Sequence, residues 1–308
     1  MKLSILIPTY NQECVSLVQT LLHQLPSDCE IIVADDCSTD KHVLEENRKL
    51  SELPQVVYWE SDTNLGRSRI RNRLRDISKG EYLLFIDSDM QVERKKFIER
   101  YLSCLPTKDV ICGGYYTDSN LPSPLVSLRW RYEKSCEHKF TAEQRNKRPH
   151  QNIATANIMI PRNVAQSHPF DESISRYGYE DTLLGQELES AGIRIRHIDN
   201  PLVHLGLEPN EAFLHKTEEA MQTLYDIRNQ IGDKSYILEI HHRLENCHIA
   251  GLIAYIFRKF KTQITRNLLS VHPSVKLFNF YKLGYLCDLY VQKNKKARIS
   301  RLSLFNRY

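Results

Sequence analysis

No apolar stretch of the 308-residue chain approaches the roughly 18 residues that a membrane-spanning helix needs, because charge interrupts each one first. The eight cysteines, at positions 14, 29, 37, 104, 112, 136, 247 and 287, include no Cys-x-x-Cys pair. That argues against a zinc site or a disulfide framework and for reduced thiols in a cytosol. The opening Lys2-Leu3-Ser4-Ile5-Leu6-Ile7-Pro8 lacks the basic flank, long apolar core and cleavage site of an export signal, so a cytoplasmic location is expected. Internal repeats and low-complexity segments are absent, and a hydrophobic content of 41% excludes a disordered chain. One shortage is local. Residues 251–308 hold 12 Lys and Arg against the single acid Asp288, a balance of +11, while residues 1–250 hold 30 basic and 37 acidic residues, or −7. A tail so poor in acid suits an anionic surface such as lipid or nucleic acid, or else a solvated helical face.

What is present begins with alternation. Over the first 116 residues short apolar runs alternate with amphipathic segments, the pattern of βα units and a mostly parallel sheet. Strands are predicted at 2–7, 30–35, 56–60, 81–86 and 110–116, with helices near 12–24, 40–51, 67–78 and 93–103. Residues 117–150, opened by Pro122 and Pro124, read as an excursion over the site. Order returns at 153–160, followed by a helix after Pro161, a loop at 169–179, a helix at 180–191 stopped by Gly192, and a strand at 193–198. From Glu211 the pattern is helical, with helices predicted at 211–230, 236–262 and 275–292. The length suits one large α/β domain, placed at 1–208 with a nucleotide-binding half (1–116) and an acceptor and metal half (117–208). A helical, basic appendage follows at 209–308.

Residues 81–90, Glu-Tyr-Leu-Leu-Phe-Ile-Asp-Ser-Asp-Met, carry the most pointed chemistry. An apolar strand delivers Asp87 and Asp89 to its end, and ligands of α/β sheets bind beyond the carboxyl ends of strands. Hard oxygen donors suit Mg²⁺ or Mn²⁺, which share their shells with water and substrate phosphates. Turn formation and helix capping account for an isolated Asp-x-Asp equally well. Other segments have physical roles of the same kind. Pro8-Thr9-Tyr10 ends the first strand, where a ring and backbone groups can hold a base. Asp36 lies beside Asp35 at the end of the second strand, and Asp40 suits a helix N-cap. Asn64-Leu65-Gly66 makes a turn into a helix bearing Arg67 and Arg71 on one face, and guanidinium groups at a helix N-terminus favour diphosphate. Glu180 and Asp181 open another helix, where the dipole favours an ionised acid.

The order of these motifs is specific: Ser4 to Asn11, Val33 to Asp40, Asn64 to Asn72, Asp87-Ser88-Asp89, then Gly178-Tyr179-Glu180-Asp181-Thr182-Leu183-Leu184. Over about residues 3–207 the chain resembles the family 2 glycosyltransferases, inverting enzymes of the GT-A fold that move a sugar from a nucleotide diphosphate donor. Glu180-Asp181 followed by His204 is most similar to the chondroitin polymerase and galactosyltransferase-type subgroup. The resemblance implies an α/β GT-A fold with a mixed, mostly parallel sheet flanked by helices and a helical C-terminal appendage. It implies Mn²⁺ or Mg²⁺ held by Asp89 and His204 with Asp87, and a nucleotide held by Pro8, Thr9, Tyr10, Asp36, Asn64, Gly66, Arg67, Arg71, Asp87 and Ser88. Asp181 would be the general base, kept ionised at its helix N-terminus, and Glu180 would meet an acceptor hydroxyl. Asn157, Tyr179 and Trp130 would line the sugar and acceptor region. The implied partners are a nucleotide sugar, most simply a UDP-sugar, and a glycan or lipid-linked glycan acceptor, with no nucleic acid. From their charge and spacing, residues 251–308 would either attach the protein peripherally to an anionic inner membrane or pack on the catalytic domain, through apolar residues such as Ile253, Ile256, Phe257, Phe260 and Ile264. Two alternatives remain at this stage. A nucleotidyltransferase calls for a Gly-rich basic loop where this chain has Pro8-Thr9-Tyr10-Asn11; a non-catalytic sugar-binding scaffold has no need of Asp87, Asp89, Asp181 and His204 together.

Overall fold

The computed structural model describes residues 1–174 and 176–305, with side chains other than those at 233 and from 296 on. Ser175, inside the loop expected at 169–179, and the basic side chains from 296 on lie outside the described residues. The chain forms two compact units. One takes in Met1–Ser119, Cys136–Ser175 and Glu180–Gly206; the other takes in Asn120–Ser135, Arg176–Tyr179 and Leu207–Tyr308.

In the first unit the apolar runs become strands β1 (Leu3–Thr9), β2 (Cys29–Asp35), β3 (Val56–Glu60), β4 (Tyr82–Ile86), β5 (Met90–Gln91), β6 (Val110–Cys112), β7 (Tyr115–Thr117), β8 (Asn157–Pro161), β9 (Ile195–His197) and β10 (Leu202–His204). Seven of them make a sheet in the order β3-β2-β1-β4-β8-β6-β9, and β5-β10-β7 make a second. β3, β2, β1 and β4 run parallel, β8 is antiparallel to both its neighbours, and β6 pairs parallel with β9. Successive strand residues point to opposite faces, and here both faces are apolar. Leu3, Ile5, Ile7, Ile31, Val33, Leu84 and Ile86 enter one core layer, whereas Leu6, Ile32, Ala34, Leu83 and Phe85 enter the other. Burial on both faces explains why these strands read as continuous apolar runs.

Two expectations for residues 110–150 are corrected. The strand expected at 110–116 splits into β6 and β7, which belong to different sheets. The break is at Gly113-Gly114. Gly114 has φ +79°, and a Cβ there would meet the Arg145 guanidinium at 2.5 Å. The excursion expected at 117–150 is helical in part, with helices at Ser127–Cys136 and Ala142–Asn146. Arg145 anchors the second of these. Its guanidinium is buried and donates to the carbonyls of Phe140, Cys112, Gly113 and Ile198 and to His197 Nδ1 at 2.8 Å.

The second unit is helical, with Asn210–Asp226, Tyr236–Asn246, Ala250–Leu268 and Val275–Phe305 as its main elements. Its core joins Leu128, Phe213, Leu214, Phe257, Ile264, Leu268, Phe278 and Tyr281. The helix expected at 236–262 is interrupted at Cys247–Ile249, where His248 takes φ +58°, a left-handed conformation that ends a helix. Among the described residues no helix is long and apolar enough to cross a membrane.

Candidate active site

The site assembles at the carboxyl edge of the parallel strands, in the first unit. β1 ends at Thr9, whose hydroxyl donates to Gln12 O at 2.7 Å; Tyr10 beyond it is exposed and Pro8 half-buried. Asn11, at φ 51°, accepts from the backbone of Thr39 and Asp40 through its Oδ1 and so ties the ends of β1 and β2 together. Asp40 caps the helix Lys41–Arg48, as expected. The adjacent acids have separate tasks. Asp35 accepts from the Ser38 N–H and hydroxyl, both at 2.7 Å. Asp36 accepts from Leu65 N–H at 2.6 Å and Gly66 N–H at 2.9 Å, while Asn64 donates to the Asp36 carbonyl. Asp36, expected to meet a base, thus shapes the 64–66 turn; burial raises its pKa against these two donors. Gly66 fits because φ is +83°.

β4 then delivers Asp87, Ser88 and Asp89. Asp87 Oδ1 accepts from Arg71 Nη2 at 2.5 Å, and Arg71, only 3% exposed, lies beneath it with Nε buried and without an acceptor. Ser88 is half-buried. Asp89 meets a residue far away in sequence. The second sheet registers His204 of β10 against Met90 of β5, which sets His204 Nε2 3.4 Å from Asp89 Oδ2. Leu205 N–H donates to Asp89 O at 2.9 Å, and a Cβ on Gly206 would fall 2.0 Å from Asp89 Oδ2. Only glycine lets the chain pass so close to this carboxylate. Adjacent ligands in an octahedral shell of about 2.1 Å radius lie about 3 Å apart, so the spacing fits one divalent cation. An oxygen and an imidazole together suit Mn²⁺ better than Mg²⁺. Among the described residues no third His, Cys, Asp or Glu joins such a group, so Asp87 is paired to Arg71 rather than clustered with Asp89 and His204.

Asp181 comes to this edge through β8. Because β8 is antiparallel to β4, the residues before its start lie at the carboxyl end of β4, and Asp87 N–H donates to Ala156 O at 3.3 Å. The preceding Thr155 donates its hydroxyl to Asp181 Oδ1 at 2.6 Å. The Asp181 pKa is pushed up to about 6, by burial first and then by Glu180, and is held back by the Thr155 bond and Arg71. The helix N-terminus expected to keep this acid fully ionised is therefore outweighed by burial. Beside it, Glu180 Oε1 faces Arg67 Nη1 at 3.4 Å, and Glu180 Oε2 is buried with no donor.

Asn157 does not line a pocket. It is fully buried, accepts from Tyr101 Oη at 2.6 Å and donates to the carbonyls of Gly114 and Asn200. Its carboxamide is consumed in joining β8 to the loops after β6 and β9. The nearby Thr155, which the sequence reading does not single out, is the one that reaches the acid. Trp130 and Tyr179 belong to the second unit. Trp130 is half-buried in Ser127–Cys136, and Tyr179, at φ 71°, has its hydroxyl pKa raised by burial. Gly206 was also missed, since nothing local marks a glycine whose role is to clear a side chain from the distant turn between β4 and β5.

A mixed, mostly parallel sheet with acids at its carboxyl edge and helices on both faces defines the GT-A class of α/β fold. The chain belongs to glycosyl transferase family 2, whose profile matches residues 4–166. It is 34% identical over 122 residues to the putative teichuronic acid biosynthesis glycosyltransferase TuaG of Bacillus subtilis, covering 38% of this chain and 46% of that protein. To the putative colanic acid biosynthesis glycosyl transferase WcaA of Escherichia coli it is 33% identical over 89 residues, covering 28% and 32%. The chain thus spans less than half the length of these two curated relatives. Among solved structures, the mannosyltransferase PcManGT from Pyrobaculum calidifontis in complex with GDP-Man and Mn²⁺ superposes with a TM-score of 0.55 at 14% identity, over 74% of this chain and 64% of that one. TarS 1–349 of Staphylococcus aureus, in complex with UDP-GlcNAc, does so with a TM-score of 0.51 at 17% identity, over 95% and 92%. Both likenesses are of fold.

Proposed function

We propose that this chain transfers a sugar, with inversion, from a nucleotide-diphosphate sugar to a hydroxyl of a glycan or lipid-linked glycan, with residues 1–208 carrying the chemistry. The observation that carries the reading is the convergence of Asp87, Asp89, His204, Glu180 and Asp181 on one sheet edge from three separate stretches of chain. In-line attack at an anomeric carbon needs one group to take the acceptor proton. Asp181, with a pKa near 6, is ionised at neutral pH yet basic enough for that step. Thr155 orients both oxygens of Asp181, its hydroxyl donating to Oδ1 at 2.6 Å and its backbone N–H to Oδ2 at 3.4 Å. Glu180 Oε2, buried and lacking a donor, suits a second acceptor hydroxyl. Arg67 and the Asp87–Arg71 pair flank the start of the helix Arg67–Ile77, where diphosphate is favoured. Asp89 and His204 would hold Mn²⁺, which when bound offsets charge on a departing diphosphate. Tyr10 and the 64–66 turn are our assignments for the nucleotide, and UDP is our assignment for the carrier. The names of the relatives favour a bacterial surface polysaccharide as the product class. A panel of nucleotide sugars with Mn²⁺, scored for binding and for slow donor hydrolysis, tests this. Hydrolysis of one donor that Asp181→Asn abolishes supports it; tight binding without turnover of any donor or acceptor makes the chain a binding scaffold instead.

A further inference from the structure

Helix Ala250–Leu268 has two unlike faces. Ala254, Phe257, Ile264 and Leu268 point inward and are buried, the last three in the cluster with Phe213, Phe278 and Tyr281. At 100° per residue, Leu252, Tyr255, Lys259 and Arg266 fall together on the opposite side, with Ile249 and Phe260 at its margin. These are not idle positions. Leu252 is 56% exposed, Tyr255 57%, Phe260 44% and Ile249 40%, and Lys259 and Arg266 are exposed as well. The helix contains Arg258, Lys259, Lys261 and Arg266 and no acid. Arg258 and Lys261 are spent on Asp288 and Glu218 within the same unit, which leaves the outward face to Lys259 and Arg266.

Large exposed apolar side chains beside basic ones, with no acid among them, fit a surface that is anionic at its top and apolar just beneath. A soluble polyanion would satisfy the charges and leave Leu252 and Tyr255 in water, so the apolar half of the face decides between the two. We propose that the outer face of Ala250–Leu268 docks on an anionic bilayer, with Leu252, Tyr255 and Phe260 at the acyl boundary and Lys259 and Arg266 at the level of the lipid phosphates. This assigns the contact to residues other than Phe257 and Ile264, which the sequence pattern favours and the core consumes. It concerns attachment alone and stands or falls apart from sugar transfer.

The test uses the full chain. Tyr255→Trp is mixed with phosphatidylglycerol–phosphatidylcholine vesicles and its emission compared with that of the unsubstituted protein. A blue shift that brominated lipid quenches, absent with pure phosphatidylcholine, is expected. At roughly fivefold for each basic side chain near an anionic surface, Lys259→Gln with Arg266→Gln should weaken vesicle binding about thirtyfold. Leu252→Ser with Tyr255→Ser should weaken it independently of salt. All four positions are exposed, so these variants should keep the wild-type circular dichroism and Tm. Failure to sediment with the mixed vesicles at low salt overturns the proposal. So does equal loss of binding to inorganic polyphosphate with no emission shift on lipid, which would make the face a polyanion site.

Discussion

Asp181 combines the features that a general base needs, and its titration gives the sharpest residue-level expectations. Asp181→Asn keeps the shape of the side chain but cannot accept a proton, so transfer should fall about 10²–10⁴-fold while donor binding persists. In the wild type, activity should rise with pH through about 6 and then level. The Thr155 hydroxyl lowers that pKa, so Thr155→Val should move the acid limb upward, a change that a purely structural defect would not produce. The sign for stability is opposite to that of a salt-bridged acid. A carboxyl raised in the folded state favours folding at low pH, and that contribution is lost as pH rises from about 4 through 6. The Tm difference between Asp181→Asn and wild type should therefore shift in favour of the variant across this window in a pH series of thermal melts. Gly206→Ala bears on the proposed metal site. Its Cβ would collide with Asp89 Oδ2, so Mn²⁺ affinity, followed by calorimetry, should fall about 10–100-fold, with the circular dichroism spectrum unchanged.

At the scale of elements, the strands that carry the site are legible because burial on both faces makes them continuous apolar runs, and acids at their ends stand out against that background. Elements whose limits depend on distant partners are not legible. β6 and β7 read as one run because nothing in 110–116 says that Arg145, some thirty residues on, will occupy the space beside Gly114. The short β5 and β10 lack length and alternation, yet they set His204 against Asp89. His204 is visible from motif order, whereas the contact of Thr155 with Asp181 is not, because only the antiparallel course of β8 brings residue 155 to that acid. Gly114→Ala tests the Arg145 latch. A left-handed φ and a contact at 2.5 Å should together cost roughly 2 kcal/mol or more, read as a lower midpoint in urea unfolding.

Across the whole molecule, the contrast between an acidic body and a basic tail is plain from composition, but its partition into units is not. Residues 120–135 join the helical unit through Leu128, which packs with Phe213 and Phe278, and no local pattern encodes that association. The first unit holds each acid of the proposed site, in which Asp89 and His204 would bind a divalent cation together with a nucleoside diphosphate while Asp181 would act only in transfer. Calorimetric titration of UDP into wild type, Asp89→Ala and Asp181→Asn, each with and without Mn²⁺, addresses this most directly. Wild type and Asp181→Asn should bind UDP far more tightly with Mn²⁺, and Asp89→Ala should show no such gain. Equal affinity with and without Mn²⁺ in all three proteins, or full Mn²⁺ dependence in Asp89→Ala, would contradict it.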